Sequence, residues 1–267
     1  MLQTMTMTMT VTATRATELT RLHAAIELLT VVNVWDVISA KVVAAVPGTT
    51  ALATASHSIA ASRGYEDGEK ISRDEMIEEC RRIVAAVDLP VTADLEAGYG
   101  NAAETVRRAI GAGVVGANIE DQLKPLAEAT AQVEAIMAAA AAEGVPDFVL
   151  NARTDAFIRG SDRDPAAVLA DATERARAFL DAGAPVVFVP GKLDESQVAH
   201  LVDALGPQRL TLIGVPGSLP LARLQELGVA RVSYGPWSQR VALTALADLV
   251  EDVRGGGGLP AGTRALN

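Results

Sequence analysis

One pattern recurs eight times along this chain and limits its fold more than any other feature. A short apolar, β-branched run is followed by a polar loop and then by an amphipathic, Ala-rich segment. The runs are Val31–Trp35, Thr50–Ala53, Pro90–Ala93, Val115–Ile119, Phe148–Asn151, Pro185–Val189, Leu210–Gly214 and Arg231–Ser233. Each is mostly apolar on both faces, as parallel strands covered by helices must be. The intervening segments carry the helical period. In Arg73–Val87, residues Met76, Ile77, Cys80, Ile83, Val84 and Val87 fall on one face, with charged residues on the rest. Gly111, Gly113, Gly144, Gly183 and Gly228 stand where helices should stop. Ser72 with Glu75 three residues on reads as a capping box.

No linker or composition break interrupts the series. Eight βα units in 267 residues predict an α/β fold, a closed (β/α)8 TIM barrel in a single domain. The barrel is expected over 15–254. The Met-Thr alternation of residues 1–14 reads as a disordered low-complexity tail, with a strand as the weaker reading. The Gly-rich residues 255–267 read as a flexible tail. Aromatics make up only 3% of the chain against 49% hydrophobic residues, so the core must be built from Ala, Val, Leu and Ile.

Charge narrows the partners. With 23 basic against 33 acidic residues the formal net charge is −10. The sequence pI is near 4.8. A nucleic-acid binder would show a basic footprint, so none is expected. Apolar runs such as Ala135–Ala142 fall far short of the roughly 20 residues a bilayer needs, and the N-terminus has no secretory pattern. The single cysteine leaves no internal disulfide and no multi-cysteine zinc site. A cytoplasmic location is the expectation.

In such a barrel, chemistry sits where strands end and βα loops begin. Acidic groups gather in the first five of these loops, and the last three are nearly free of ionisable groups. Asp94 and Glu96 lie two apart in ADLEAGYG, so both carboxylates can face one mouth. Glu120 and Asp121 arrive from the next strand. Carboxylates crowded together repel unless some are protonated or a cation joins them. Mg²⁺ suits the crowd because it takes oxygen ligands and keeps several waters. The competing reading makes these acids helix N-terminal dipole partners. Arg153, in NARTDA, could bind a substrate carboxylate or phosphate bidentately, or form an internal salt bridge with Asp155 or Glu120. Thr54 and Ser56 could hold a second anionic group. The segment Ser62–Ser72 reads as a mobile lid or, on local sequence, somewhat better as a solvated turn. Cys80 reads as core, and His23 and His200 as surface or edge residues. His57 follows the second strand but reads as structural, and GVPGS at Gly214–Ser218 is only weakly like a phosphate loop.

NVWDVISAK, ATASHSIAASRGYEDG, PVTADLEAGYG, GANIEDQ and NARTDAF occur in this order and spacing. Together they resemble the isocitrate lyase/phosphoenolpyruvate mutase superfamily, from about Asn33 to Arg159. The resemblance implies a (β/α)8 barrel that binds Mg²⁺, with Mn²⁺ as an alternative, and cleaves or forms C–C or P–C bonds beside a carboxylate. It implies Asp94 as the inner metal ligand, with Glu96 and Glu120 holding the metal mainly through water. Glu96 stands where an Asp is common in the family. Arg153 would bind the substrate carboxylate. Trp35, Thr54, Ala55 and Ser56 would line its carboxylate and oxo end, and Asp67 would be the acid of a gating loop.

The departures are as informative. The cleaving lyases carry a Cys-Gly-His stretch after the strand-4 Glu-Asp, and the phosphonate-forming mutases an Asn-Ser. This chain reads DQLKPLAEAT there, which leaves Lys124 as the only nearby acid or base. The implied function is an Mg²⁺-dependent lyase or hydrolase for a small 2-oxo or 2-hydroxy dicarboxylate, acting through an enolate. The alternatives are a phosphonomutase-like enzyme and a non-catalytic metabolite-binding barrel that keeps the metal site. A homo-oligomer, dimer or tetramer, is also implied.

Overall fold

The structure is a computed structural model that describes residues 2–266. In chain order the elements are α1 (Leu2–Ala24), β1 (Leu29–Val31), β2 (Asn33–Val34), α2 (Val37–Ala44), β3 (Leu52–Thr54), α3 (Ser56–Ser62), α4 (Arg73–Ala85), β4 (Val91–Asp94) and α5 (Ala102–Gly111). There follow β5 (Gly116–Glu120), α6 (Leu126–Ala142), β6 (Val149–Arg153), α7 (Pro165–Asp181), β7 (Val186–Phe188), α8 (Glu195–Leu205), β8 (Leu210–Ile213), α9 (Leu221–Leu227), β9 (Arg231–Ser233) and α10 (Trp237–Arg254). Every strand pair is parallel, in the order β1-β9-β8-β7-β6-β5-β4-β3-β2. The result is a (β/α)8-type barrel in one domain.

The first expected strand is present but interrupted. Val32 turns outward between β1 and β2, and the two halves serve different neighbours. Leu29–Val31 pairs with β9, whereas Asn33–Val34 pairs with β3. This one broken strand closes the ring, so nine segments make eight staves. The capping box at Ser72 and Glu75 is present and starts α4.

The N-terminal segment departs from expectation. As far as it is described, residues 2–14 belong to α1 rather than to a disordered tail. Thr12, Ala16, Leu19, Leu22 and His23 are buried at helical spacing. Thr17 Oγ1 and Thr20 Oγ1 bond Asp147 at 2.6 and 3.0 Å. Tertiary burial of one face overrides the weak helix propensity of threonine. Leu19 plugs the barrel floor: a Cβ on Gly116 would lie 2.9 Å from Leu19 Cδ2, so only glycine fits there. His23, expected near the surface, is therefore buried. Its Nδ1 lies 2.8 Å from Leu19 O, and burial, then the Arg231 charge, push its pKa down to about 3. Cys80 is core, its thiol pushed up to about 12 by burial.

Alternation along the registered strands sends Asn33, Thr92, Asp94, Asn118, Glu120, Asn151, Arg153, Thr211 and Arg231 to the inner face. This lining is more polar than the apolar runs suggest. Asn118, Asn151 and Thr211 are joined in a chain of bonds of 2.8 and 2.7 Å.

The last helix leaves the barrel. Gln239 is its only fully buried residue, bonded through Nε2 to Ser58 O and Ser62 Oγ at 3.1 and 2.9 Å. Val241, Leu243, Leu246, Val250 and Val253 all face solvent. No helix among the described residues is long and apolar enough to cross a membrane.

Candidate active site at the barrel mouth

The strand ends place Asp94, Glu120 and Arg153 at one mouth. Asp94 closes β4, and its Oδ2 accepts from Ser56 Oγ at 2.7 Å and Ser56 N at 3.2 Å. Among the described residues nothing donates to Asp94 Oδ1. Thr54 works behind this contact. Its Oγ1 accepts from Asp94 N at 3.0 Å and its side chain is fully buried. Thr54 thus braces the strand end that carries Asp94. Ala55 is buried and precedes α3.

Glu120 and Asp121 are adjacent and part company. Glu120 faces inward, with Oε2 2.8 Å from Arg153 Nη1. Asp121 faces away, pairs with Arg175 at 3.1 Å and accepts from the backbone of Leu123 and Asp155 at 3.0 Å. Both readings of Arg153 as a salt-bridging group are realised. Its Nε and Nη2 each lie 2.8 Å from Asp155 Oδ1, and its Nη1 reaches Glu120. Burial works against the guanidinium charge, but Glu120, Asp155 and Asp94 outweigh it and raise the pKa, so Arg153 stays charged. Each terminal nitrogen has a second N–H to spare.

Glu96 does not follow the simple alternation. The strand stops at Asp94, and Glu96 takes φ +53°. Its carboxylate turns toward the segment after α3, accepting from Glu69 N and, at 3.2 Å, from Tyr99 Oη. Glu69 Oε1 in turn accepts from Tyr99 N at 2.6 Å. Glu69 and Tyr99 have φ of +61° and +53°. Three non-glycine residues in left-handed backbone therefore form one clasp, the kind of local strain that collects at working sites. The clasp ties residues 63–71 to the loop after β4. Asp67 stands exposed on that segment, and its charge is felt at Glu96.

Glu96 and Glu120 are both pushed up to about 7. Burial is the main cause for each, Asp94 adds to it for both, and Arg153 opposes it for Glu120. The mouth is thus short of positive charge. Among the described residues no three acidic, His or Cys side chains converge closely enough to chelate an ion between them. The cation that the family resemblance implies would need Asp94 Oδ1 as its direct ligand and water between it and Glu120 or Glu96.

Two expected residues stand apart. Lys124 Nζ lies 3.5 Å from Gln132 Oε1 on α6, and no contact ties it to Asp94, Glu120 or Arg153. Trp35 is half-buried in an apolar cavity of about 650 Å³ between α2 and α10, with Asn33, Tyr234 and Trp237. Sequence reasoning missed Asn33, whose Oδ1 accepts from Tyr234 N and Gly235 N at 2.7 and 2.8 Å and whose Nδ2 donates to Thr54 O at 2.8 Å. It pins three strand ends together. A polar residue at an inward position of an apolar strand was the available signal. Glu69 and Tyr99 were missed as well, because their contacts cross between loops.

This mouth gathers inward acids and one arginine at the strand ends of a parallel barrel, where the sites of such barrels sit. The sequence profile of the phosphoenolpyruvate phosphomutase family matches residues 19–254, and the chain belongs to that family, within the isocitrate lyase/phosphoenolpyruvate mutase superfamily. The 2-methylisocitrate lyase of Escherichia coli strain K12 is 32% identical over 211 residues, covering 73% of this chain and 69% of that protein. The oxaloacetate decarboxylase of Paraburkholderia xenovorans is 30% identical over 247 residues, or 86% of this chain and 79% of that protein. A Burkholderia cenocepacia J2315 structure, provisionally assigned as a phosphonomutase, superposes with a TM-score of 0.84 at 40% identity, over 90% of this chain and 98% of that one.

Proposed function

We propose that this chain is an Mg²⁺-dependent enzyme that cleaves a C–C bond beside the 2-oxo carboxylate of a small dicarboxylate, leaving an enolate. Mn²⁺ is an alternative metal. Decarboxylation of a 2-oxo dicarboxylate such as oxaloacetate is the form of lyase chemistry its residues favour. The observation that supports this is Asp94: Ser56 fixes one of its oxygens and the other is free, beside the charge of Arg153.

A divalent cation bound at Asp94 would act as a Lewis acid toward the oxo group and its carboxylate. Ser56 holds the Asp94 carboxylate in one orientation. Arg153, oriented by Glu120 and Asp155, offers its spare N–H groups to the substrate carboxylate and stabilises the enolate charge. Cleavage to an aldehyde or ketone would need a base for a substrate hydroxyl and a donor for the enolate. The turn after β5 supplies neither, because it has no Cys or His and Lys124 rests on α6. Loss of CO₂ needs no base, and the enolate can take its proton from water. The clasp of Glu69, Glu96 and Tyr99 would hold the loop bearing Asp67 over the mouth.

The test is a product screen with Mg²⁺ and a panel of 2-oxo acids. Pyruvate without oxalate is the expected result from oxaloacetate. Oxalate and acetate would instead mark a hydrolase. Turnover of a phosphonate would favour the mutase reading, and binding of oxalate with no turnover of any substrate would favour the non-catalytic barrel.

We further propose that the molecule is a homo-oligomer in which α10 packs against another copy. The support is its row of exposed apolar residues next to the apolar cavity of Val32, Ile38, Val42 and Val43. Leu246→Glu should shift the mass measured by light scattering toward the monomer. An unchanged mass would refute this packing.

A further inference from the structure

The loop after β4 is a tightly packed shelf. Gly98 lies so close to the start of α5 that an added Cβ would stand 2.5 Å from Ala102, and Thr105 Oγ1 donates to Gly98 O at 2.8 Å. Glu120 N donates to Glu96 O at 2.8 Å, which ties the shelf to the end of β5. Glu96 stands on this shelf with 6% of its surface exposed. Residues 61–68, by contrast, are exposed throughout. Arg63 and Tyr65 hold that segment to α4 through Glu79 and Glu75. On the side of the mouth it is held at Glu69.

The Glu96 carboxylate makes that hold with both oxygens. Oε2 accepts from Glu69 N, and Oε1 accepts from Tyr99 Oη at 3.2 Å. Asp94, two residues earlier, meets neither group and bonds Ser56 instead. The two neighbouring acids therefore face different partners. Length decides the Glu96 contact, because the backbone is fixed by the shelf and the side chain must reach from it to Glu69. An aspartate there would be one methylene short. Charge is not needed for the same bonds. A carboxamide oxygen can accept from Glu69 N while its NH₂ donates to Tyr99 Oη.

We propose that Glu96 is a positioning residue that latches the segment bearing Asp67 to the barrel and takes no part in holding a metal. Metal binding then falls to Asp94 and Glu120, and the segment is seated before any metal arrives. The statement about the metal rests on the reading of Asp94 as the metal-binding acid. The latch does not depend on it.

Two conservative variants separate length from charge. Glu96→Gln keeps the length and gives up the charge, and Glu96→Asp does the reverse. Tryptic cutting after Lys70 in the metal-free protein reports the latch, and titration calorimetry with Mn²⁺ reports the metal. Glu96→Asp should be cut about tenfold faster than the natural protein, the scale of losing a buried hydrogen bond, and Glu96→Gln within about twofold of it. Tyr99→Phe removes one donor and no acid, and should also be cut faster. Glu96→Gln should bind Mn²⁺ within about threefold of the natural affinity. Equal cutting of the two Glu96 variants, or faster cutting of Glu96→Gln, would overturn the latch. A loss of Mn²⁺ affinity of tenfold or more in Glu96→Gln would return Glu96 to the metal. If Glu96→Asp proves unfolded by thermal melting, Tyr99→Phe decides the latch, and cutting at the natural rate refutes it. If the natural protein binds no Mn²⁺, the reading of Asp94 fails, and the order of cutting still decides what Glu96 does.

Discussion

The two ends of the barrel are built on opposite principles. At the floor, α1 lays Ala16 and Leu19 across the strand starts, and the contact is so close that Gly116 admits no side chain. At the mouth, charged groups stand in pairs held by specific partners. Ser56 holds Asp94, Arg153 holds Glu120, and the clasp of left-handed residues holds Glu96. Packing at the floor is generic and stabilises the fold. The arrangement at the mouth is specific and leaves two carboxylates raised to about 7. Stability and chemistry are thus separated along the barrel axis, as the fold allows.

That separation can be broken experimentally. The largest effect should come from Asp94→Ala. Turnover should fall about 10³-fold, roughly 4 kcal/mol of barrier, with the melting temperature little changed. Full activity in this variant would remove Asp94 from the mechanism. Leu19→Ala should show the converse. It should lose about 3 kcal/mol in urea unfolding by opening a cavity under the barrel, while KM and kcat stay near the natural values. A large change in kcat would mean the floor is coupled to the chemistry. Next, Glu69→Ala should release the clasp at a cost of about 1 kcal/mol of global stability. It should also speed tryptic cutting between Arg63 and Arg73, and protection like that of the natural protein would show that the clasp does not hold the loop.

The most gradual effect is that of pH. Glu96 and Glu120 bind protons more tightly in the folded chain than in the unfolded one. Their contribution is present below about 4.5, the unfolded value, and is lost as the pH rises through about 7. The metal-free protein should therefore lose stability over that range, and Glu96→Gln with Glu120→Gln should flatten the slope. A slope of the opposite sign would contradict the burial of these groups.

The barrel was legible because its signal repeats. Eight apolar runs with helical segments between them leave few alternatives. The split at Val32 was not legible, because it depends on two neighbours pairing with different halves of one strand. Residues 2–14 were misread because Met-Thr alternation looks like low complexity until Thr12 and Ala16 find a floor to cover; Met1 lies outside the described residues. At the mouth, strand-end position found Asp94, Glu120 and Arg153. It could not separate Glu120 from Asp121, which differ only in which side of the sheet they leave. Nor could it foresee that Glu96 would turn away to meet Glu69. Arg231 escaped notice because an arginine in an apolar run looks like a strand edge.

The seam at Val32 has a consequence for biosynthesis. The barrel closes only when the first strand meets the last, and the bond from Tyr234 N to Asn33 Oδ1 spans 201 residues. Until β9 has left the ribosome, β1 and the growing sheet each present an unpaired edge. Contacts this distant in sequence form late and slowly. For most of its synthesis the chain lacks the strand that closes the barrel, so neither edge has its partner. Closure should therefore wait for the emergence of residues 231–235.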